Sequence, residues 1–245
     1  MVPIRRLVPV AILFAGVAFA AAQELGGGFG AALNIGTLGV TVAQGEATRQ
    51  MFGRYARPGS SSSSARRVRT RKASAASLSY RRSAAVSKRV LEAFVTVITR
   101  NDPKTEATVR GEIARADPMA KLAVEMRKHG LRENNLAAGM AVYLVQAWYG
   151  AHGRTASGDA VYRAVSRQAA RVFGAMPTLA RASDTTKQET SESMVLYGSL
   201  YEDAIVAAKK DPATLAKVKA NIATHARNTL GFDLAALRLG PNGLY

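Results

Sequence analysis

The stretch GLRENNLAAGMAVYLVQAWYGAHG, residues 130–153, decides the fold. At 3.6 residues per turn, Leu136, Met140, Tyr143, Leu144, Ala147 and Ala151 share one face, while Val142, Val145 and Tyr149 fall on the opposite one. A helix that is apolar on two faces is buried on two sides. The sector left over carries Asn135, Gly139, Gln146 and Gly150, so small residues there admit another backbone and one amide needs a hydrogen-bond partner. The stretch reads as the central post of an all-α domain.

On either side of the post the chain is punctuated by helix signals. A first helix, residues 84–100, places Val90, Leu91, Phe94, Val97 and Ile98 on one side. Asp102-Pro103, Asp117-Pro118 and Asp211-Pro212 each supply a capping carboxylate followed by a proline that needs no donor in the first turn, so these aspartates read as caps. His129-Gly130-Leu131 closes the helix before the post, with glycine in the left-handed position and leucine folding back. After the post, a helix opening at Thr155 or Ser157 and ending before Pro177 should bury Val161, Val165, Val172, Phe173 and Met176. A long helix from Asp184 to about residue 210 aligns Met194, Tyr197, Tyr201, Ala204, Ile205 and Ala208, and a last one, residues 212–230, turns Leu215, Val218, Ile222 and Ala226 inward. Phe232, Leu234, Leu237 and Leu239 are expected to seal one end. The expected architecture is an irregular bundle of about seven helices, residues 84–245.

The N-terminal third is different in kind. Residues 1–22 have the three parts of a secretory signal: Arg5-Arg6, the run LVPVAILFAGVAFA, and small residues that permit cleavage after Ala20 or Ala22. There is no cysteine anywhere, which excludes lipoprotein anchoring, disulfides and thiolate chemistry. Residues 23–83 are rich in glycine and serine and read as a disordered basic linker. The chain has a formal charge of +17, and twelve basic residues with no acid lie between Arg49 and Arg89. From residue 90 onward there are twenty Lys/Arg against fifteen Asp/Glu, so most of the basicity sits outside the folded part. Arg66, Arg67, Arg69, Arg71, Lys72, Arg81 and Arg82 are the candidate polyanion-binding residues; the opposing reading is a solvated tether. Aromatic residues near them are sparse, which argues against stacking on nucleic-acid bases.

Signals for catalysis are weak. His129, His152 and His225 have no second ligand three or four residues away, so no metal is expected, and no glycine-rich phosphate loop points to a cofactor. On a helical wheel Glu189, Glu192, Ser199 and Asp203 lie opposite Met194, Tyr201 and Ile205, and they read as a solvated face. No Gly-x-Ser-x-Gly elbow exposes a serine nucleophile. If a ligand pocket exists it is expected beside Asn135, Gln146, Trp148 and His152, the polar and aromatic groups that the post brings to its neighbours.

Three segments, the post, DTTKQETSESMVLYGSLYEDA (184–204) and GFDLAALRLGPNG (231–243), together resemble the DUF6683 family of exported bacterial proteins over roughly residues 90–245. The resemblance implies a bacterial envelope protein with a helical C-terminal domain, and it transfers no functional residue. The sequence thus points to an exported, non-catalytic binding or structural module that meets a protein partner or an anionic envelope surface. The alternative is a hydrolase acting on a cell-wall or small-molecule substrate.

Overall fold

The computed structural model describes residues 78–100, 103–156, 158–174 and 176–245. The signal, most of the linker with Arg66, Arg67, Arg69, Arg71 and Lys72, and the Asp102 cap lie outside the described residues. Eight α-helices follow in order: α1 Ala84–Ile98, α2 Glu106–Ala116, α3 Pro118–Lys128, α4 Leu136–Ala151, α5 Asp159–Gly174, α6 Pro177–Ala180, α7 Asp184–Ala208 and α8 Pro212–Leu230. Single 3-10 turns precede α2 and follow α8, and the chain ends in a hairpin of two-residue strands, β1 Leu239–Gly240 and β2 Gly243–Leu244. No described helix is long and apolar enough to cross a membrane.

The central post is α4. Every residue from Leu136 to Ala147 is buried, and so are Val142, Val145 and Tyr149 on its second face. It packs against α7, α5 and α8, which surround it. Its contact with α7 is a backbone contact: a methyl group at Gly139 would lie 2.8 Å from the Ser191 carbonyl oxygen, and one at Gly198 of α7 would lie 3.2 Å from the Val142 carbonyl oxygen. The small residues are therefore what allow the two buried helices to touch.

The capping chemistry is as the sequence suggests. Asp117 and Asp211 accept from the amides of Ala120 and Ala213. Gly130 is left-handed at φ 70°, and the Leu131 amide reaches back 2.9 Å to the Met126 carbonyl, burying the leucine. Ser183, one residue before the expected start, caps α7.

Four expectations need correction. The packed body starts at Leu78, not after residue 83: Leu78 and Tyr80 are buried, and Ser79 bridges to Asn135, so residues 78–83 belong to the fold. Helix α5 buries Tyr162, Ala164, Val165, Gln168, Ala169 and Phe173, whereas Val161, Val172 and Met176 are only half-buried. The stripe is rotated because the C-terminal hairpin packs on α5 and takes Gln168. Pro177 begins the short α6 as well as ending the region before it. Finally, Glu192, Ser199 and Asp203 do not face water; they are 4%, 6% and 3% exposed. The reason is that α7 runs 25 residues through the middle of the bundle and is covered by α4, α1 and α8 together.

Candidate functional site

A groove of about 750 Å³ lies between α1 and α2 and ends on the first turn of α3. It exists because α2 is loosely seated. Val109 is the only buried residue of α2, so Ile113 and Ala114 are left beside Leu91 and Val95 of α1 without closing on them. Pro118 and Met119 complete the apolar lining. Arg82, Lys88 and Arg110 bring three cations to it, against the carboxylates of Glu92 and Asp117. Among the described residues, Lys88 and Arg110 are held only by exposed partners one helical turn away, Glu92 at 3.9 Å and Glu106 at 2.8 Å. Such pairs are worth a few tenths of a kcal/mol, roughly, so both cations remain available to a ligand.

Arg82 and Met119 also line a second, small cavity of about 20 Å³, whose wall includes Tyr80, Ser191 and Glu192. Glu192 is the most unusual group here. One of its oxygens, Oε1, accepts from the Ser87 hydroxyl at 2.9 Å and the Gln188 amide at 3.0 Å, and the Arg82 guanidinium stands 3.4 Å away. Its other oxygen, Oε2, is buried without a partner among the described residues. Burial pushes the carboxyl above its ordinary range; the bonds from Ser87 and Gln188 and the charge of Arg82 act in the opposite direction. Gln188 ties the same network to the chain entering α1: it accepts from the Ser83 amide and donates to the Ser83 carbonyl, both at 2.8 Å.

A separate polar cluster joins four helices. Gln146 of α4 donates to the Tyr162 hydroxyl at 2.8 Å and to Glu202 Oε2 at 2.7 Å. His129, at the end of α3, stacks on Tyr162 with ring centroids 4.3 Å apart, and its Nδ1 lies 2.9 Å from Asp159. Burial raises the Glu202 pKa, opposed by the His129 charge and the Gln146 amide. Burial and the neighbouring Glu202 charge push Asp203 up to about 7, and both of its oxygens lack a hydrogen-bond partner among the described residues. Deeper still, Tyr201 hydrogen-bonds His225, whose imidazole burial holds down to about 4. His225 is 2% exposed.

The four residues expected to line a pocket do not gather in one place. Asn135 is the buried cap of α4, accepting from the amides of Ala137 and Ala138 and donating to Ser79. Gln146 belongs to the Glu202 cluster. Trp148 donates its indole N–H to the Leu237 carbonyl at 2.8 Å, and His152 packs against the Trp148 ring. None of them lines either cavity. Of the two expected polyanion-binding residues that are described, Arg81 is exposed, while Arg82 is turned into the Glu192 network.

Two residues acquire roles that the sequence does not assign them: Glu192, expected on a solvated face, and Gln188. A signal for them was present: Met194 to Tyr201, MVLYGSLY, carries no charge and is apolar or small all round, which marks a helix covered on every side. Among the described residues no group of three His, Cys, Asp or Glu side chains is arranged to hold a metal ion.

No curated protein and no solved structure matches the chain. The profile of the family of unknown function DUF6683 matches residues 3–245, so the chain belongs to that family over its whole length and not only from residue 90.

Proposed function

With membership of DUF6683 as the premise, we propose that this is an exported bacterial envelope protein whose helical body is a non-catalytic binding module, and that its ligand is an acidic amphiphile seated between α1 and α2. Residues 1–22 direct export to the periplasm or beyond, and the basic segment that follows is a solvated tether for the body. The observation that carries the binding reading is the groove. Its size falls in the range of small-molecule sites, its floor is apolar, and its lining carries Lys88 and Arg110, each held by a weak exposed pair. The surface elsewhere supports a ligand groove over broad hydrophobic docking, because among the described residues Val124 and Tyr245 are the only exposed large hydrophobic side chains, at 41% and 50%.

The test uses the fluorescent anion 8-anilinonaphthalene-1-sulfonate on the mature protein, with Ile113→Trp filling the groove. Saturable binding by the folded wild type, weakened at least tenfold in the variant while thermal unfolding stays cooperative, is the expected result. Equal binding by both, or none by either, refutes the reading.

One feature favours a hydrolase acting on a cell-wall or small-molecule substrate: Glu202, Gln146, Tyr162, His129 and Asp159 converge from separate helices. Turnover of a peptidoglycan or ester substrate that disappears in Glu202→Gln would establish that alternative and displace the first.

A further inference from the structure

Helix α5 presents Arg163, Arg167 and Arg171 to solvent at intervals of four residues, about 6 Å apart along one face. Ala160 and Ala170 flank them. Residues 160–183 contain a fourth arginine, Arg181, and no acid at all. The C-terminal hairpin adds Arg238, again with no acidic side chain from residue 234 to the end. These pieces are neighbours in space: α5 packs against both α6 and β2, and Gln168 of α5 donates to the Leu244 carbonyl at 2.8 Å and accepts from the Leu244 amide at 3.0 Å. All five arginines are exposed.

The carboxylates nearest these arginines in sequence are each engaged by another group: Asp159, at the first residue of α5, by His129 at 2.9 Å and by Arg163 at 4.0 Å, Asp184 by the Arg81 amide at 3.1 Å, and Asp233 by Arg227 at 2.9 Å. Among the described residues no ion pair involves Arg167, Arg171, Arg181 or Arg238. Some other exposed cations are paired with acids, as at Arg110–Glu106, Lys128–Glu125 and Arg227–Asp233, and others, such as Arg132, Lys209 and Lys217, are not; the α5 arginines differ in their four-residue spacing along one helix.

We propose that the face built from α5, α6 and the C-terminal hairpin docks on an anionic phospholipid surface, with Arg163, Arg167, Arg171, Arg181 and Arg238 contacting headgroup phosphates and Tyr245 entering the headgroup layer. Guanidinium suits this role because its planar fork pairs with phosphate oxygens in a bidentate way and is more weakly hydrated than an ammonium. Tyr245 is half-exposed beside this cluster, and an amphipathic ring of that kind settles at the headgroup level. A lone exposed tyrosine provides no platform for successive bases, which favours lipid over single-stranded nucleic acid. The contact is at the surface, since no described helix is able to span a bilayer. It is also separate from the groove, whose lining includes no residue of this face.

The experiment is co-sedimentation of the full mature chain with phosphatidylcholine vesicles, with and without phosphatidylglycerol, at two salt concentrations. Three proteins are compared: wild type, Arg163→Gln/Arg167→Gln/Arg171→Gln, and an arm variant with Arg66, Arg67, Arg69, Arg71 and Lys72 all changed to Gln. Each arginine at such a surface is worth about fivefold in affinity, so the α5 variant should bind phosphatidylglycerol vesicles roughly a hundredfold more weakly, with a shallower salt dependence. The arm variant should keep binding that the α5 changes then abolish, and Tyr245→Ala should weaken it further. The exposed positions leave folding intact, which a thermal melt verifies. Binding by the α5 variant equal to wild type, with all affinity lost in the arm variant, overturns the proposal. So does loss of binding to a single-stranded oligonucleotide with vesicle binding unchanged.

Discussion

Gly139→Ala should destabilise the protein by about 2 kcal/mol, against the usual expectation for glycine in a helix. Replacing an interior helical glycine with alanine ordinarily gains about 1 kcal/mol, because glycine surrenders more backbone freedom on folding. At this position the new methyl group would lie 2.8 Å from the Ser191 carbonyl oxygen and 2.9 Å from the Ser191 Cα. Both obstacles are backbone atoms of α7, so no rotamer change relieves them; the two central helices must separate. Overpacking of a well-filled core costs about 1–3 kcal/mol, and a backbone obstacle places the cost near the top of that range. Subtracting the helix-propensity gain leaves about 2 kcal/mol, or a melting temperature lower by about 4–8 °C for a body of this size. Urea unfolding followed by circular dichroism measures it. Two companions calibrate the result. At Gly150 the nearest atom is the terminal Ile222 Cδ1 at 2.9 Å, which can move, so Gly150→Ala should cost less. At Gly111 the nearest atom is 3.9 Å away on Arg115, so Gly111→Ala should stabilise by up to about 1 kcal/mol. A Gly139→Ala protein as stable as wild type, or more so, would refute the claim that backbone contact between α4 and α7 organises the core.

Other consequences follow from single buried groups. Asp203 has a folded pKa of about 7 against an unfolded value near 3.8, so the folded state holds more protons between those values; its contribution is fully favourable below pH 4 and is lost as pH rises through 7. Asp203→Asn should therefore raise stability most at pH 8 and least at pH 4, and a denaturation series in pH reads this; a gain that does not change with pH contradicts it. His225, held down to about 4, acts with the opposite sign: its contribution is present above pH 6.5 and lost as pH falls toward 4, so in Asp203→Asn the remaining acid-side loss should lie between those values. Glu192→Ala leaves Arg82, Gln188 and Ser87 without their shared acceptor and should cost about 3 kcal/mol, whereas Glu192→Gln, which keeps one acceptor oxygen, should cost clearly less by the same unfolding assay. Asn135→Ala removes the cap of the central helix and should cost about 1–2 kcal/mol, with Asn135→Asp recovering most of it.

The central helix, the limits of α4, α7 and α8, the caps at Asp117 and Asp211, and the leucine that folds back after Gly130 were all legible in the amino-acid order. Each depends on groups within about one or two turns of each other, and such groups meet whatever the rest of the chain does. The polar stripe Glu192, Ser199 and Asp203 was not legible. A helical wheel states which residues share a side of a helix; it does not state whether water or another helix lies on that side. Opposite the apolar stripe of α7, the neighbour turned out to be protein. Asn135 shows the same limit from the other direction, since an amide beside an apolar helix reads equally as a pocket group or as a cap.

The sequence alone therefore determined that the body is helical, which helix is its axis, where most helices stop, and that the chain carries a large positive charge. Tertiary packing alone decided that α2 sits loosely enough to leave a groove, that Glu192 is buried with one oxygen lacking a partner among the described residues, and that the C-terminal hairpin packs on the arginine-bearing helix α5. The physical reason is range. Propensity and capping act over a few residues of chain, whereas burial, cavities and charged surfaces are set by what distant segments do when each competes to cover the same apolar post.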